Sequence, residues 1–156
     1  MDFKLSLQSE TIRSAYPETP VAVEPDTPIA DVIRLMQAER APAVLICDAD
    51  ELVGVFTERD VLRLLSKQAD LSPAITTVMT RGPSTVTDSA TVGDAISQMA
   101  VGGYRHLPIV SAINPTEPTA IVDVRGVLHY LVDHFPSTIY NLPPQSPRAT
   151  AEREGA

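Results

Sequence analysis

Apolar residues recur at helical spacing in two matching stretches of the chain. Residues 29–36 (IADVIRLM) correspond to residues 92–99 (VGDAISQM), and the offset between them is 92 − 29 = 63. In both stretches apolar residues stand at positions i, i+3, i+4 and i+7, which lie on one face of a helix. The pattern therefore predicts two amphipathic helices, and Pro28 suits the first position of the earlier one.

Short apolar strands and turns follow each helix in the same order. The paired segments are 43–47 and 107–110 for the first strand, 48–51 and 111–119 for the turns, and 52–56 and 120–122 for the second strand. Each copy closes with a helix that carries Val-Leu-x-x-Leu, starting at Val61 and at Val127, and a β-prone piece (21–23 and 84–86) precedes each first helix. Each unit thus reads β-α-β-β-α over roughly 50 residues, within normal element lengths.

The repeat predicts an α+β (α/β) fold with two helices and a small sheet in each copy. One copy buries too little surface to be stable alone, so both copies are expected to pack as one domain. The predicted divisions are an N-terminal extension (1–16), repeat 1 (17–67), a linker (68–78), repeat 2 (79–135) and a Pro-rich C-terminal tail (136–156). We expect the last dozen residues of the tail to be mobile, with residues 140–142 docking on the body.

Charge and composition exclude several classes of protein. The 156 residues include 12 basic and 20 acidic side chains, a net charge of −8, without the cationic cluster of a nucleic-acid binder. No apolar run is long enough to span a membrane and the N-terminus has no signal-peptide core, so we expect a cytoplasmic protein without a membrane partner. Cys47, the single cysteine, excludes an intrachain disulfide and is expected in a buried strand.

No pattern in the sequence predicts catalysis or a metal site. His106, His129 and His134 lack metal-ligand spacing, since the last two are five residues apart and therefore off one helical face. No glycine-rich phosphate loop or nucleophilic triad is present. We therefore expect no enzyme activity, no metal and no required cofactor.

Three motifs link the repeats to a known family. Residues 78–86 read VMTRGPSTV, residues 105–110 read RHLPIV, and residues 53–62 read VGVFTERDVL. They resemble the V-M-T-x-x-P-x-T-V opening, the H-R-L-P-V-V strand and the G-h-h-T-x-x-D-h-L segment (h, apolar) of the CBS-domain family. The resemblance spans about residues 17–135 and implies a Bateman module, in which two repeats related by a pseudo-twofold axis form two clefts. Such modules commonly bind AMP, ADP, ATP or S-adenosylmethionine in these clefts and dimerise into a flat disc.

Thr57 and Asp60 are the central candidate ligands, at a strand-to-helix junction. A carboxylate accepts charge-assisted bonds from the two ribose hydroxyls, and a phosphate favours the free N–H groups of a helix N-terminus helped by a hydroxyl. Thr-x-x-Asp is also a helix-capping pattern, and both roles are compatible. In the second copy Asp123 takes the place of Thr57 and Gly126 that of Asp60, so unequal clefts are expected.

The resemblance also implies which other residues complete the Thr57 cleft. It places Met79, Thr80 and Ser84 near the adenine, and Val55, on the strand that leads to Thr57, is also expected to bind the ligand. Tyr104 is either an apolar wall or core packing. The positive charge that a phosphate requires would come from Arg105, His106 or Arg81. Arg105 is equally compatible with a solvated surface residue, and His106 with a hydrogen-bonded structural residue. The cleft residues thus predicted are Val55, Thr57, Asp60, Met79, Thr80, Ser84, Tyr104, Arg105 and His106.

The function predicted on this basis is regulatory. The chain would bind an adenosine-containing ligand (AMP, ADP or ATP-like, S-adenosylmethionine or NAD) as an energy-sensing module and signal in trans to an unknown effector protein, as a homodimer. The alternative is a structural oligomerisation module that binds no ligand. The Asp123 and Gly126 substitutions favour the alternative, whereas the intact Thr57 and Asp60 oppose it.

Overall fold

The structure, a computed structural model, describes residues 3–136, with side chains from residue 6 onward. The predicted order β-α-β-β-α is confirmed in both repeats. The chain opens with α1 (Phe3–Ser9) and a 3₁₀ turn (Ile12–Ala15). Repeat 1 contains β1 (Ala22–Val23), α2 (Ile29–Glu39), β2 (Ala43–Asp48), β3 (Glu51–Thr57) and α3 (Glu58–Ser66). A second 3₁₀ turn (Ile75–Thr77) and β4 (Thr80–Arg81) follow. Repeat 2 contains β5 (Val86–Thr87), α4 (Val92–Gly102), β6 (His106–Val110), β7 (Pro118–Asp123) and α5 (Val124–His134).

The strands form two separate sheets with matching topology. The first has the order β1-β2-β3-β4 and the second the order β5-β6-β7. In each sheet a short parallel strand is followed by an antiparallel pair, and the register shifts at Ile46/Cys47 in one pair and at Ile109/Val110 in the other. These two shifts fall at equivalent positions of the repeat, so the repeat preserves even the irregularity of the strands.

The predicted helix faces form the two cores. Val32 and Ile29 are at most 1% exposed in repeat 1, and Val92 and Ala95 are fully buried in repeat 2. Pro28 is the N-cap of α2, one residue earlier than predicted. Cys47 lies in β2 as expected but is only half-buried. No helix among residues 3–136 combines the length and the apolar character that crossing a membrane requires.

Two short segments, each standing before one repeat in the sequence, pack on the other repeat. We call residues 10–18 the N-terminal strap and residues 73–81 the linker strap. The N-terminal strap precedes repeat 1 but lies on repeat 2, and the linker strap precedes repeat 2 but lies on repeat 1. Equivalent backbone bonds hold both: Val92 N–H to Glu10 O (2.9 Å) and Ile12 N–H to Ala90 O (2.8 Å), against Ile29 N–H to Pro73 O (2.9 Å) and Ile75 N–H to Thr27 O (2.7 Å). The donors and acceptors of the first pair of bonds therefore stand at the same positions of the repeat as those of the second pair.

Each strap contributes to the core of the repeat on which it packs and not to the repeat that it precedes in the sequence. Ile12 and Ala15, within the predicted extension, are fully buried in the core of repeat 2. Ile75 and Met79 are buried in the core of repeat 1, and β4 extends the sheet of repeat 1 by pairing with β3. Met79 therefore lies structurally with repeat 1, although the sequence assigns it to repeat 2. The predicted mobility of the tail and the docking of residues 140–142 concern residues outside those described.

Candidate functional site

Thr57 and Asp60 form a hydrogen-bonded unit where β3 passes into α3. The Oδ2 atom of Asp60 accepts bonds from the backbone N–H of Thr57 (2.9 Å) and from its hydroxyl (3.1 Å). The other oxygen, Oδ1, lies 3.8 Å from Nη1 of Arg63, and the Asp60 side chain is 17% exposed. Because the cap uses Oδ2, the carboxylate can cap the helix and still present Oδ1 to a ligand.

The start of α4 carries the same cap outside the predicted cleft. Asp94 Oδ2 accepts from the N–H of Thr91 (2.9 Å), and Asp94 N–H donates to the Thr91 hydroxyl (3.1 Å). A Thr-x-x-Asp cap is therefore a local solution that this chain uses twice. The cap alone does not mark a ligand site, and Asp94 provides a matched control for Asp60.

The linker strap brings further predicted residues to β3. Val55 pairs with Thr80, which is exposed on β4. Met79 lies beneath β3, because a Cβ atom at Gly54 would overlap with the Sδ atom of Met79, and Met79 is only 8% exposed. Met79 thus packs in the core of repeat 1, and Ser84 is half-buried in the segment between β4 and β5.

Tyr104 and Arg105 are exposed at the end of α4. The ring of Tyr104 is 41% exposed and covers Gly102, at which a Cβ atom would overlap with the ring. Of the two predicted roles of Tyr104, core packing is therefore wrong. The side chain of Arg105 is exposed, and Arg81 donates through Nη2 to the carbonyl of Thr76 within the linker strap (3.2 Å).

The first residues of α3 and α5 each donate an equivalent backbone hydrogen bond within their own repeat. Glu58 N–H donates to the carbonyl of Pro42 (3.0 Å), and Val124 N–H donates to the carbonyl of Arg105 (3.1 Å). Each helix therefore begins against the residue that precedes the first long strand of its own repeat. This fixes the direction of both helix N-termini, which carry the partial positive charge that favours anions.

His106 interacts with charges at both helix starts. It stands opposite Asp123 in the register of β6 and β7. Burial lowers the pKa of His106; among the nearby charges Asp123 and Glu58 raise it, and Arg125 and Arg105 lower it further. Because Glu58 belongs to repeat 1 and Asp123 to repeat 2, acidic groups of both repeats act on the pKa of His106.

A cavity of about 160 Å³ lies in the second cleft, on the Asp123 side. Its walls come from the N-terminal strap and the residues after it, from the end of α2 and start of β2, and from β6 and β7. The lining residues are Tyr16, Glu18, Thr19, Val21, Glu39, Arg40, Ala41, Pro42, Ala43, His106, Ile121 and Asp123. Among the residues predicted to bind ligand, His106 is the one that lines it. Ligand pockets usually measure about 300–1,000 Å³, so this cavity is small for a nucleotide.

The start of α5 differs from that of α3 in its chemistry. Asp123 Oδ1 accepts from the N–H of Gly126 (2.8 Å), while Oδ2 accepts from Nε (3.1 Å) and Nη2 (2.9 Å) of Arg125. Gly126 is buried, and a Cβ atom there would overlap with the carbonyl oxygen of Ala15 in the N-terminal strap. No side chain fits at the position that Asp60 occupies in repeat 1 unless this strap moves.

Sequence reasoning missed the N-terminal strap and its contacts. The Tyr16 hydroxyl donates to Asp133 Oδ2 (2.5 Å), and its ring stacks on His129 with centroids 4.1 Å apart. A usable signal was present, since residues 14–23 (SAYPETPVAV) align with residues 77–86 (TVMTRGPSTV) at the same offset as the helices. The alignment matches Pro20 with Pro83, and the equivalent backbone bonds of Ile12 and Ile75 continue the correspondence before residue 17.

Comparison with known proteins identifies the repeats. The sequence model of the CBS domain matches residues 13–67 and 75–133. The chain belongs to the CBS domain family. A 17.7 kDa protein of uncharacterised function from Acidianus ambivalens is 30% identical over 112 residues, which cover 71% of this chain and 66% of that protein. An Arabidopsis thaliana CBS domain-containing protein is also 30% identical, but the match covers 70% of this chain and only 20% of that protein.

Solved structures of CBS domain pairs share the fold. A CBS domain protein of Pyrobaculum aerophilum complexed with AMP superposes with a TM-score of 0.69 at 21% identity, covering 79% of this chain and 98% of that one. The CBS domain pair of protein MJ0100, in complex with 5′-methylthioadenosine and S-adenosyl-L-methionine, gives a TM-score of 0.68 at 18% identity, covering 76% and 97%. At these identities the likeness establishes the architecture of a CBS pair.

Proposed function

We propose that this CBS pair is a regulatory module that binds an adenosine-containing ligand in the Thr57 cleft and signals to a partner protein in trans. The carboxylate of Asp60 carries the proposal. It is fixed at the start of α3 by two bonds to Oδ2, and Oδ1 remains beyond the cap to accept ribose hydroxyls. Ligand binding would then shift the population between two packings of the repeats, as a differential affinity requires.

The solved relatives support the class of ligand. Both are CBS pairs of the same fold, one complexed with AMP and the other with 5′-methylthioadenosine and S-adenosyl-L-methionine. Adenine with its ribose ring, including the 2′ and 3′ hydroxyls, is the part that these ligands share. A ribose acceptor such as Asp60 is compatible with all of them, whereas the charge of the rest of the ligand depends on other residues.

The cations near the cleft favour a nucleoside or a monophosphate over ATP. Arg81 is engaged with the carbonyl of Thr76, and Arg105 is an exposed side chain. Burial lowers the pKa of His106, which disfavours the charged form of its imidazole. Three phosphates would therefore meet too little fixed positive charge, and a single phosphate at the helix N-terminus is the better match.

Replacing Asp60 with asparagine tests the proposed role of this residue. We expect AMP affinity to fall tenfold or more, about 1.4 kcal/mol, because the charged acceptor of the ribose is lost. The ligand-free protein should lose about 1 kcal/mol of stability or less, since asparagine also caps helices. Calorimetric titration measures the affinity and the stoichiometry, expected to be one AMP per chain, and thermal unfolding measures the stability.

Asp94→Asn is the matched control, because Asp94 caps α4 with the same Thr-x-x-Asp pattern. It should cost similar stability and leave AMP affinity unchanged. If both variants lowered stability alike and neither changed AMP affinity, Asp60 would be a helix cap only. The proposed ligand site would then be wrong.

A ligand-free oligomerisation module is the second candidate, and exposed apolar residues on α3 and α5 favour it. Leu62 and Leu65 on α3 are 68% and 55% exposed, and Leu128 on α5 is 55% exposed. Leu62 and Leu128 are equivalent positions of the two repeats, so these residues form one apolar surface on each terminal helix. Paired surfaces of this kind suit a symmetric homodimer, with or without a ligand.

We expect the chain to be a homodimer that the combined substitutions Leu62→Asp and Leu128→Asp dissociate. The aspartates place charge on the surface that the dimer would bury, which disfavours association. Light scattering at micromolar concentration should give twice 16.8 kDa for the wild type and 16.8 kDa for the double variant. Val101→Asp, at a 91% exposed position on α4, should remain dimeric. A wild type with the mass of a single chain would contradict the prediction.

A further inference from the structure

The N-terminal strap pairs with its sheet one residue out of step with the linker strap. In repeat 1 Arg81 stands opposite Gly54. The equivalent residues of repeat 2 are Glu18 and Ala120, but Glu18 pairs with Ile121 through two backbone bonds of 2.9 and 3.0 Å. Because successive side chains of an extended segment point to opposite faces, a shift of one residue reverses which of them face the core.

The burial of the two straps follows this difference. Ile12 and its equivalent Ile75 are fully buried, so both straps start in the same way. The next buried side chain is Ala15 in the N-terminal strap but Met79 in the linker strap. The equivalent of Met79 is Tyr16, which is 42% exposed. Tyr16 therefore points outward at the position from which repeat 1 buries a side chain.

The strand residue against which each strap packs accounts for the difference. At Gly54 a Cβ atom would overlap with the Sδ atom of Met79, so glycine leaves the room that the buried methionine needs. Ala120 carries this Cβ atom and packs against the core of repeat 2. The ring of Tyr16 is larger than the side chain of Met79 and does not fit in the equivalent place beside Ala120. Two residues of repeat 2 therefore disfavour the register of the linker strap.

Two side chains of α5 hold Tyr16 in its outward position. Its hydroxyl donates to Oδ2 of Asp133 (2.5 Å), and this bond raises the pKa of the Tyr16 phenol. Its ring stacks on His129 with centroids 4.1 Å apart, and Nε2 of His129 lies 3.2 Å from the same oxygen of Asp133. The backbone of Tyr16 has a φ of 52°, in the left-handed region that residues other than glycine rarely adopt, whereas Met79 is outside this region. The shift of register is thus taken up at Tyr16, and the contacts with α5 offset the unfavourable backbone.

We propose that Tyr16 locks residues 15–18 in the register that closes the second cleft, and that release of its ring lets this segment move and the cleft open. In the locked register the carbonyl of Ala15 lies against Gly126, and Tyr16 and Glu18 form part of the wall of the cavity of about 160 Å³. In the register of the linker strap the segment would lie one residue further along β7, about 3.4 Å, and the carbonyl of Ala15 would leave Gly126. The inference goes beyond the proposed function, because it needs no ligand in the other cleft.

Amide hydrogen exchange followed by NMR reports the register of the strap directly. In the wild type the N–H of Glu18 donates to the carbonyl of Ile121, so it should be protected, and the N–H of Thr19 should exchange faster. The equivalent of Thr19 in the linker strap is Gly82, whose N–H donates to the carbonyl of Val53 (3.3 Å). A strap that adopts the register of the linker strap should therefore protect Thr19 in place of Glu18.

Tyr16→Met combined with Ala120→Gly gives repeat 2 the residue pair that repeat 1 has. We expect exchange at Glu18 to become about tenfold faster, and exchange at Thr19 about tenfold slower, than in the wild type. Protection that does not pass from Glu18 to Thr19 would show that this residue pair does not set the register. Gly126→Ala should lower the melting temperature less in the double variant than in the wild type, and an equal loss in both would mean that the second cleft does not open.

Tyr16→Phe tests the lock even if the double variant is too unstable to measure, because it removes only the bond to Asp133. Exchange at Glu18 should become severalfold faster, since the strap is then held by the ring stacking alone. Tyr104→Phe is the matched control, because this ring is also exposed (41%) but lies at the end of α4, and exchange at Glu18 should stay unchanged. If Tyr16→Phe left exchange at Glu18 at the wild-type rate, the hydroxyl would not hold the strap and the proposed lock would be overturned.

Discussion

Replacing Ile12 with alanine is expected to destabilise the protein by about 2–5 kcal/mol, the usual cost of truncating a large buried aliphatic side chain. Ile12 is fully buried in the core of repeat 2, although it lies close to the start of the chain. The substitution removes buried methyl groups and leaves a cavity between the N-terminal strap, α4 and α5. Urea denaturation of wild type and variant measures the difference in the free energy of unfolding.

Ile113→Ala provides the control for the same change of side chain. Ile113 is 96% exposed in the loop between β6 and β7, so its truncation should alter the free energy of unfolding by no more than about 0.5 kcal/mol. Equal effects of the two substitutions would mean that the N-terminal strap does not belong to the core of repeat 2.

Gly126→Ala should cost about 1–3 kcal/mol, because the added Cβ atom meets a backbone carbonyl. The oxygen is that of Ala15, a fully buried residue in the core of repeat 2, and a backbone oxygen cannot rotate away as a side chain can. Without this contact alanine would stabilise a helix relative to glycine, so the sign of the effect is informative. Denaturation in urea again gives the magnitude.

Gly102→Ala is the matched substitution at a second helical glycine. Its Cβ atom would overlap with the ring of Tyr104, but that ring is 41% exposed and free to change rotamer. We expect a loss well below that of Gly126→Ala. A Gly126→Ala protein as stable as the wild type would show that the strap yields easily, and that the Asp60 position could be restored in repeat 2.

The regular elements were predictable because their burial is periodic. The face of α2 that includes Ile29 and Val32 faces one core and is readable from spacing alone. The cap formed by Thr57 and Asp60 was also predictable, since it depends on residues three apart within one segment. Each of these features is local, so a single stretch of sequence contains the information.

Features that join distant segments were not predictable in the same way. A 3₁₀ turn such as Ile12–Ala15 is too short to show a period, and its burial depends on helices that come much later in the chain. The family motif points to Met79 as a cleft residue, but the close approach of Gly54 holds its side chain in the core. The exposure of Tyr104 likewise depends on the path of the chain after α4 rather than on the aromatic residue itself.

The crossed positions of the two straps make each repeat depend on the other for a part of its core. A single repeat unit that begins with its own strap could not cover its own core, because each strap here lies on the other repeat. Two separate copies of that unit would complete each other by exchanging straps, as domain-swapped homodimers do. The present chain has the architecture of such a dimer with both units joined in one polypeptide. Cutting it between the repeats would therefore yield two halves, each lacking a segment that only the other carries.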